Sequence, residues 1–182
     1  MSFPLSQDSR ITRFYDYWDS LREDGGIPGQ SAFDPVEVGP LLRTLWMARW
    51  DIEFQDFVYR LAGESILAAF PDSIRHKPLV EIYDKEHADE LRARYQRICA
   101  APAAFYARGQ VYRHLKRYGT GERLVLPLLD HKGRPTIVIG CTTYSTSNWR
   151  PSGKTGSTSQ ETGLSHFTTL DGEPLEQIRA AS

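Results

Sequence analysis

The stretch Glu122–Tyr144 limits most strongly how this chain can fold. It reads Glu-Arg-Leu-Val-Leu-Pro-Leu-Leu-Asp, then His-Lys-Gly-Arg-Pro, then Thr-Ile-Val-Ile-Gly-Cys-Thr-Thr-Tyr. Two apolar runs joined by a short polar segment with Gly133 and Pro135 are the signature of a β-hairpin. The second run is rich in β-branched residues and apolar at both odd and even positions. A strand wetted on one face would alternate, so this strand is expected at the centre of a sheet with both faces covered.

The preceding chain supplies partners for it. Ile11, Phe14, Tyr15, Trp18 and Leu21 recur at spacings of three and four, which places them on one face of a helix that ends at Gly25-Gly26. That face can pack on the core or form a homodimer seam through Phe14, Trp18 and Leu21. Asp34-Pro35-Val36-Glu37 has the cap, first-turn proline and acidic residue of a helix start, and Gly39-Pro40 keeps it short. Leu45–Glu53 alternates, with Trp46, Ala48, Trp50 and Ile52 on one side, and predicts a strand. A second strand is predicted over Phe57–Leu61, then a short helix from Ser65 to Phe70, and short turns around Pro78. Asp84 is positioned to cap a longer helix from Lys85 to about Ala100, with Leu91, Tyr95, Ile98 and Cys99 on its apolar stripe. Phe105–Leu115 reads as the third strand, ahead of the opening hairpin.

Strands with helices inserted between them predict an α+β fold, a five-stranded antiparallel sheet with the helices between strands 2 and 3 and an amphipathic N-terminal helix. The division expected is an N-terminal extension over 1–10, one domain over 11–144, and a flexible tail over 145–182. The tail is rich in Ser, Thr, Gly and Gln, a composition with too little apolar surface to offset ordering. His166-Phe167 and Leu170–Ile178 are its only docking candidates.

Taken together, Phe14-Tyr15-Asp16-Tyr17-Trp18, Ile27-Pro28, Phe33-Asp34-Pro35, Tyr59-Arg60-Leu61-Ala62-Gly63 and Leu126-Pro127-Leu128 resemble, in order and over about Phe14–Tyr144, a PAS-like family of mainly alphaproteobacterial single-domain proteins. The resemblance implies a sheet that can enclose a small-molecule pocket beneath the inserted helices, and a sensory or regulatory role without catalysis. It names no ligand and no cofactor.

Composition and motifs narrow the chemistry. The chain has 182 residues and a formal net charge of −1, which gives no long-range attraction to nucleic acid or an anionic membrane. No apolar run reaches the ~20 residues of a membrane span, and the first residues do not form a secretory signal. Cys99 and Cys141 make no disulfide framework, so a cytoplasmic setting is expected. Both read as small apolar core residues, and neither lies in the Asn-Cys-Arg motif of flavin photoreceptor domains. Among His76, His87, His114, His131 and His166 no zinc-type spacing occurs. His87, which some haem-binding relatives would place as an axial ligand, reads as a solvated first-turn residue among Lys85, Glu86 and Asp89. The carboxylates Glu86, Asp89 and Glu90 read as helix-surface partners of Arg92, Arg94 and Arg97. The basic run Arg113–Tyr118 reads as a solvated hairpin end.

Strand parity then proposes the pocket. Phe57, Tyr59 and Leu61 share one parity of the second strand, Leu126 and Leu128 one of the fourth, Ile139 and Cys141 one of the fifth. With Tyr95 and Tyr106 they are the expected ligand-lining residues, and Arg60 or Arg108 could add charge. Parity does not say which side the helices cover. Three readings follow: a sensory module that binds a small molecule or a signalling protein and acts in trans, an interaction adaptor with a filled core, and a small α+β enzyme using Tyr, His and Asp as acid and base.

Overall fold

The computed structural model describes residues 6–114, 117–151 and 164–179. Helix α1 (Ser9–Ser20) comes first, capped by the Asp8 carboxylate, which accepts from the Arg10 backbone N–H. Helix α2 (Pro35–Val38) and a 3-10 turn (Gly39–Thr44) lead into β1 (Leu45–Asp51) and β2 (Asp56–Ala62). Then come α3 (Glu64–Leu67), α4 (Leu79–Ile82) and α5 (Lys85–Ala100), followed by β3 (Ala104–His114), β4 (Arg117–Leu129) and β5 (Pro135–Pro151). Asp84 caps α5, its carboxylate accepting from His87 N–H at 2.9 Å. No helix among the described residues is long and apolar enough to cross a membrane.

The sheet is antiparallel with strand order β2-β1-β5-β4-β3. β5 is central, as its two-sided apolar pattern requires, and Ile137, Val138 and Ile139 are fully buried. The helices α3 to α5 lie between the second and third strands in sequence, and α5 covers one face of the sheet. Helix α1 covers the other.

The sheet does not stop at five strands. β5 runs on to Pro151, and β6 (Leu164–Thr168) pairs with β3 while β7 (Pro174–Arg179) pairs with β6, so the sheet has seven strands. Part of the segment expected as a flexible tail is therefore sheet. Phe167 carries the docking: it is buried and its ring lies 5.3 Å from that of Phe105, with the Arg97 guanidinium 3.9 Å above it. Residues 152–163 of that segment, and Leu115 and Lys116 of the basic run, lie outside the described residues.

Each face has its own core. Under α5 lie Trp46, Ala48, Phe57, Tyr59, Phe105, Ala107, Val125 and Val138, closed by Ala88, Leu91, Tyr95 and Ile98. Under α1 lie Leu45, Met47, Tyr106, Leu124, Leu126, Leu128, Ile137, Ile139 and Cys141, closed by Ile11, Phe14, Tyr15 and Trp18. The Trp18 indole N–H donates to the Pro127 carbonyl at 3.0 Å. Phe14 and Trp18, two of the three residues proposed for a homodimer seam, thus spend their surface on this chain's own sheet, and Leu21 is half-buried.

Candidate functional site

The face beneath α5 brings together the largest set of buried polar and aromatic side chains. Trp46, Tyr59 and Tyr95 form its centre, with ring centroids 5.7 Å apart for Trp46–Tyr59 and 5.6 Å for Trp46–Tyr95. Phe57 meets Tyr95 edge to face at 5.3 Å. The hydroxyl of Tyr59 lies 3.3 Å from that of Tyr83 and 3.5 Å from that of Tyr95. His87, one turn into α5, stands edge-on to the Tyr83 ring at 4.9 Å.

Position in the strands explains the assembly. β1 presents Trp46 and Ala48 at alternate positions, and β5 presents Val138, Gly140, Thr142 and Tyr144. Gly140 pairs with Trp46 in register, and a methyl group at Gly140 would overlap the indole ring. The glycine therefore lets the indole lie flat across the central strand. Its N–H donates to Thr142 Oγ1 at 2.9 Å. Arg123, opposite Thr142 on β4, donates from Nε to the same oxygen at 3.1 Å and from Nη2 to the Val111 carbonyl. Thr142 is wholly buried and Arg123 nearly so.

Burial first, and then that arginine, set the electrostatics of His87 on this face. Burial holds the His87 imidazole below its ordinary value of 6.5, and the nearby positive charges of Arg123 and Arg94 add to it. Glu90 and Asp84 act in the opposite sense but less strongly. His87 Nδ1 is buried and has no hydrogen-bond partner among the described residues, with Glu90 Oε2 3.7 Å away. A buried polar atom left in that condition is uncommon and marks a place where a partner group would be stabilising. The face thus offers stacking surfaces, phenol hydroxyls and an imidazole held toward its neutral form. The thiols offer no nucleophile, because burial pushes both Cys99 and Cys141 up to about 12.

The expected lining residues do not share one cavity. Phe57, Tyr59 and Tyr95 lie beneath α5, whereas Leu61, Tyr106, Leu126, Leu128, Ile139 and Cys141 belong to the core beneath α1. For Leu61 the cause is a β-bulge. Met47 pairs with Leu61 and Ala48 with Tyr59, so Arg60 is the extra residue and Leu61 turns to the opposite face from Tyr59. Arg60 itself points outward to an ion pair with Asp51. The residues that parity did not single out are Trp46, Tyr83, His87, Arg123 and Thr142. His87 is half-buried rather than solvated; its spacing of four from Leu91, on the buried stripe of α5, is the signal that pointed to it.

A family model described as a PAS domain matches residues 6–143. No curated protein matches. Among solved structures, a sensory box sensor histidine kinase from Vibrio cholerae is similar, at 18% identity and a TM-score of 0.42, over 61% of this chain and 91% of that one.

Proposed function

The chain belongs to the PAS domain family, and on that premise we propose that it is a cytoplasmic sensory module that binds a small molecule beneath α5 and signals to a protein partner in trans. The observation that carries this reading is the buried Nδ1 of His87, without a hydrogen-bond partner among the described residues, on a ring that meets Tyr83, whose hydroxyl adjoins that of Tyr59. A ligand group that hydrogen-bonds this imidazole, with an apolar body against the aromatic rings, matches what the face offers. No catalytic step is proposed: neither cysteine has thiolate character.

Native mass spectrometry of the freshly purified chain tests the reading. The expected result is an additional mass that is released on denaturation and reduced in Tyr59→Phe and His87→Ala. A bare chain mass, together with no small molecule that raises the melting temperature, would instead support an adaptor with a filled core. That second reading is favoured by the close packing of Trp46, Phe57, Tyr59 and Tyr95, whose rings occupy the centre of the face.

A further inference from the structure

β1 begins at Leu45, paired with Cys141, while β5 continues to Pro151. Where β1 is missing, the side of β5 next to Thr142 and Tyr144 borders a notch rather than a neighbouring strand. The notch is an open cleft of about 240 Å³, lined by Arg10 of α1, Arg43 and Thr44 of the 3-10 turn, Glu64, Ser65 and Ala68 around α3, and Thr142 and Tyr144 of β5.

Its polar groups have an uneven hydrogen-bond balance. Arg10 gives Nε and Nη2 to the Asp8 carboxylate at 3.0 and 2.7 Å, which leaves Nη1 without a partner among the described residues. Arg43 meets Glu64 only through Nε, at 3.2 Å, so both of its terminal nitrogens are spare among the described residues. Thr142 is wholly buried and its Oγ1 already accepts from Trp46 and Arg123, so it walls the cleft without offering a group to a ligand. The Tyr144 hydroxyl is turned away to the Ser65 carbonyl. On the acceptor side the cleft has mainly the second oxygen of Glu64 and the Ser65 hydroxyl. The unused capacity is weighted toward donors on cationic groups, and the complement of such a set is an oxyanion, whose several lone pairs accept charge-assisted bonds from guanidinium forks.

We infer that this notch is a binding site for a small oxyanion, a phosphate or carboxylate group, held between Arg10 and Arg43. Such a ligand ties the first turn of α1 to the 3-10 turn, so its arrival strengthens the attachment of α1. The inference stands apart from ligand binding beneath α5, and either can fail without the other.

The test is isothermal titration calorimetry of the full chain at constant ionic strength, with inorganic phosphate and succinate as separate probes against a sodium chloride balance. Saturable one-to-one binding of either probe is expected; phosphate alone identifies a phosphoryl group, succinate alone a carboxylate, and both a general oxyanion site. Arg43→Gln should weaken binding about tenfold or more, the size of one charge-assisted contact, and Glu64→Gln should tighten it by removing the competing carboxylate. Both side chains are largely exposed, so these variants keep the fold; circular dichroism checks it. Absence of saturable heat with both probes, or affinity unchanged in Arg43→Gln, overturns the inference.

Discussion

Gly140 and Trp46 show how one residue without a side chain organises a whole face. The indole lies where a Cβ on residue 140 would be, so Gly140→Ala must push the ring off Thr142 and into Tyr59 and Tyr95. Overpacking of this kind costs about 1–3 kcal/mol, and a urea midpoint equal to that of the unaltered chain would contradict the packing described. His87 gives a second prediction at this scale. Its folded state favours the neutral imidazole, so the stability contribution is full above the ordinary value of 6.5, declines as the pH falls below it, and levels off below the depressed folded midpoint. Proton NMR titration should give a midpoint for His87 below 6.5; a midpoint at or above that value would remove burial and Arg123 as its controlling neighbours. The sequence did not disclose either residue's part. Trp46 was legible as apolar and inward, but Thr142 and Arg123 meet it only across strands, and cross-strand neighbours depend on register.

At the scale of elements, α1 is a lid on the sheet face opposite α5. Its apolar stripe was legible from spacing; what it covers was not, because a helix face does not name its partner. Removing the residues before Gly25 exposes Leu124, Leu126, Ile137, Ile139 and Cys141, which α1 buries. The expected outcome is a chain that binds a hydrophobic dye and whose Cys141 reacts with a thiol reagent in native buffer, whereas neither cysteine of the intact chain reacts. The milder Trp18→Ala should cost about 3–5 kcal/mol. The β6–β7 turn holds α1 from its other side: the Tyr15 hydroxyl donates to the Leu170 carbonyl at 2.9 Å, and Arg22 pairs with Asp171 at 2.7 Å. Composition concealed this hairpin because the stretch before it, 145–163, is rich in Ser, Thr and Gly and one aromatic, Phe167, anchors it. The β4–β5 turn was read correctly from Gly133, whose φ of 72° suits glycine. Asp130 closes that turn by accepting from the backbone N–H groups of Lys132 and Arg134 and from the Arg134 guanidinium. These bonds hold its carboxyl well below the ordinary value of 3.8, so its contribution persists above 3.8 and is lost as the pH falls from there through the folded value. Carboxyl NMR shifts should show Asp130 still ionised when exposed aspartates are protonated.

The molecule as a whole is one sheet with a separate core on each face. The central position of β5 and the insertion of helices after β2 were legible, because a strand apolar at both parities has few places to go and Asp84 marks the start of α5 plainly. The division of side chains between faces was not, since on β5 both parities are equally apolar and on β2 a bulge reverses the alternation at Arg60. This division matters for function: it gives the α5 face Tyr59, Tyr83 and Tyr95 with His87 and Arg123, and gives the α1 face a mainly apolar core that includes Tyr15 and Tyr106. The most direct test is two-dimensional NMR of the isotope-labelled full chain, titrated with the protein-free small-molecule fraction of a bacterial extract. The account predicts shifts in Trp46, Tyr59, His87 and Tyr95 with Leu124, Leu126 and Ile139 unchanged; shifts confined to the α1 face, or none on the α5 face, would contradict it.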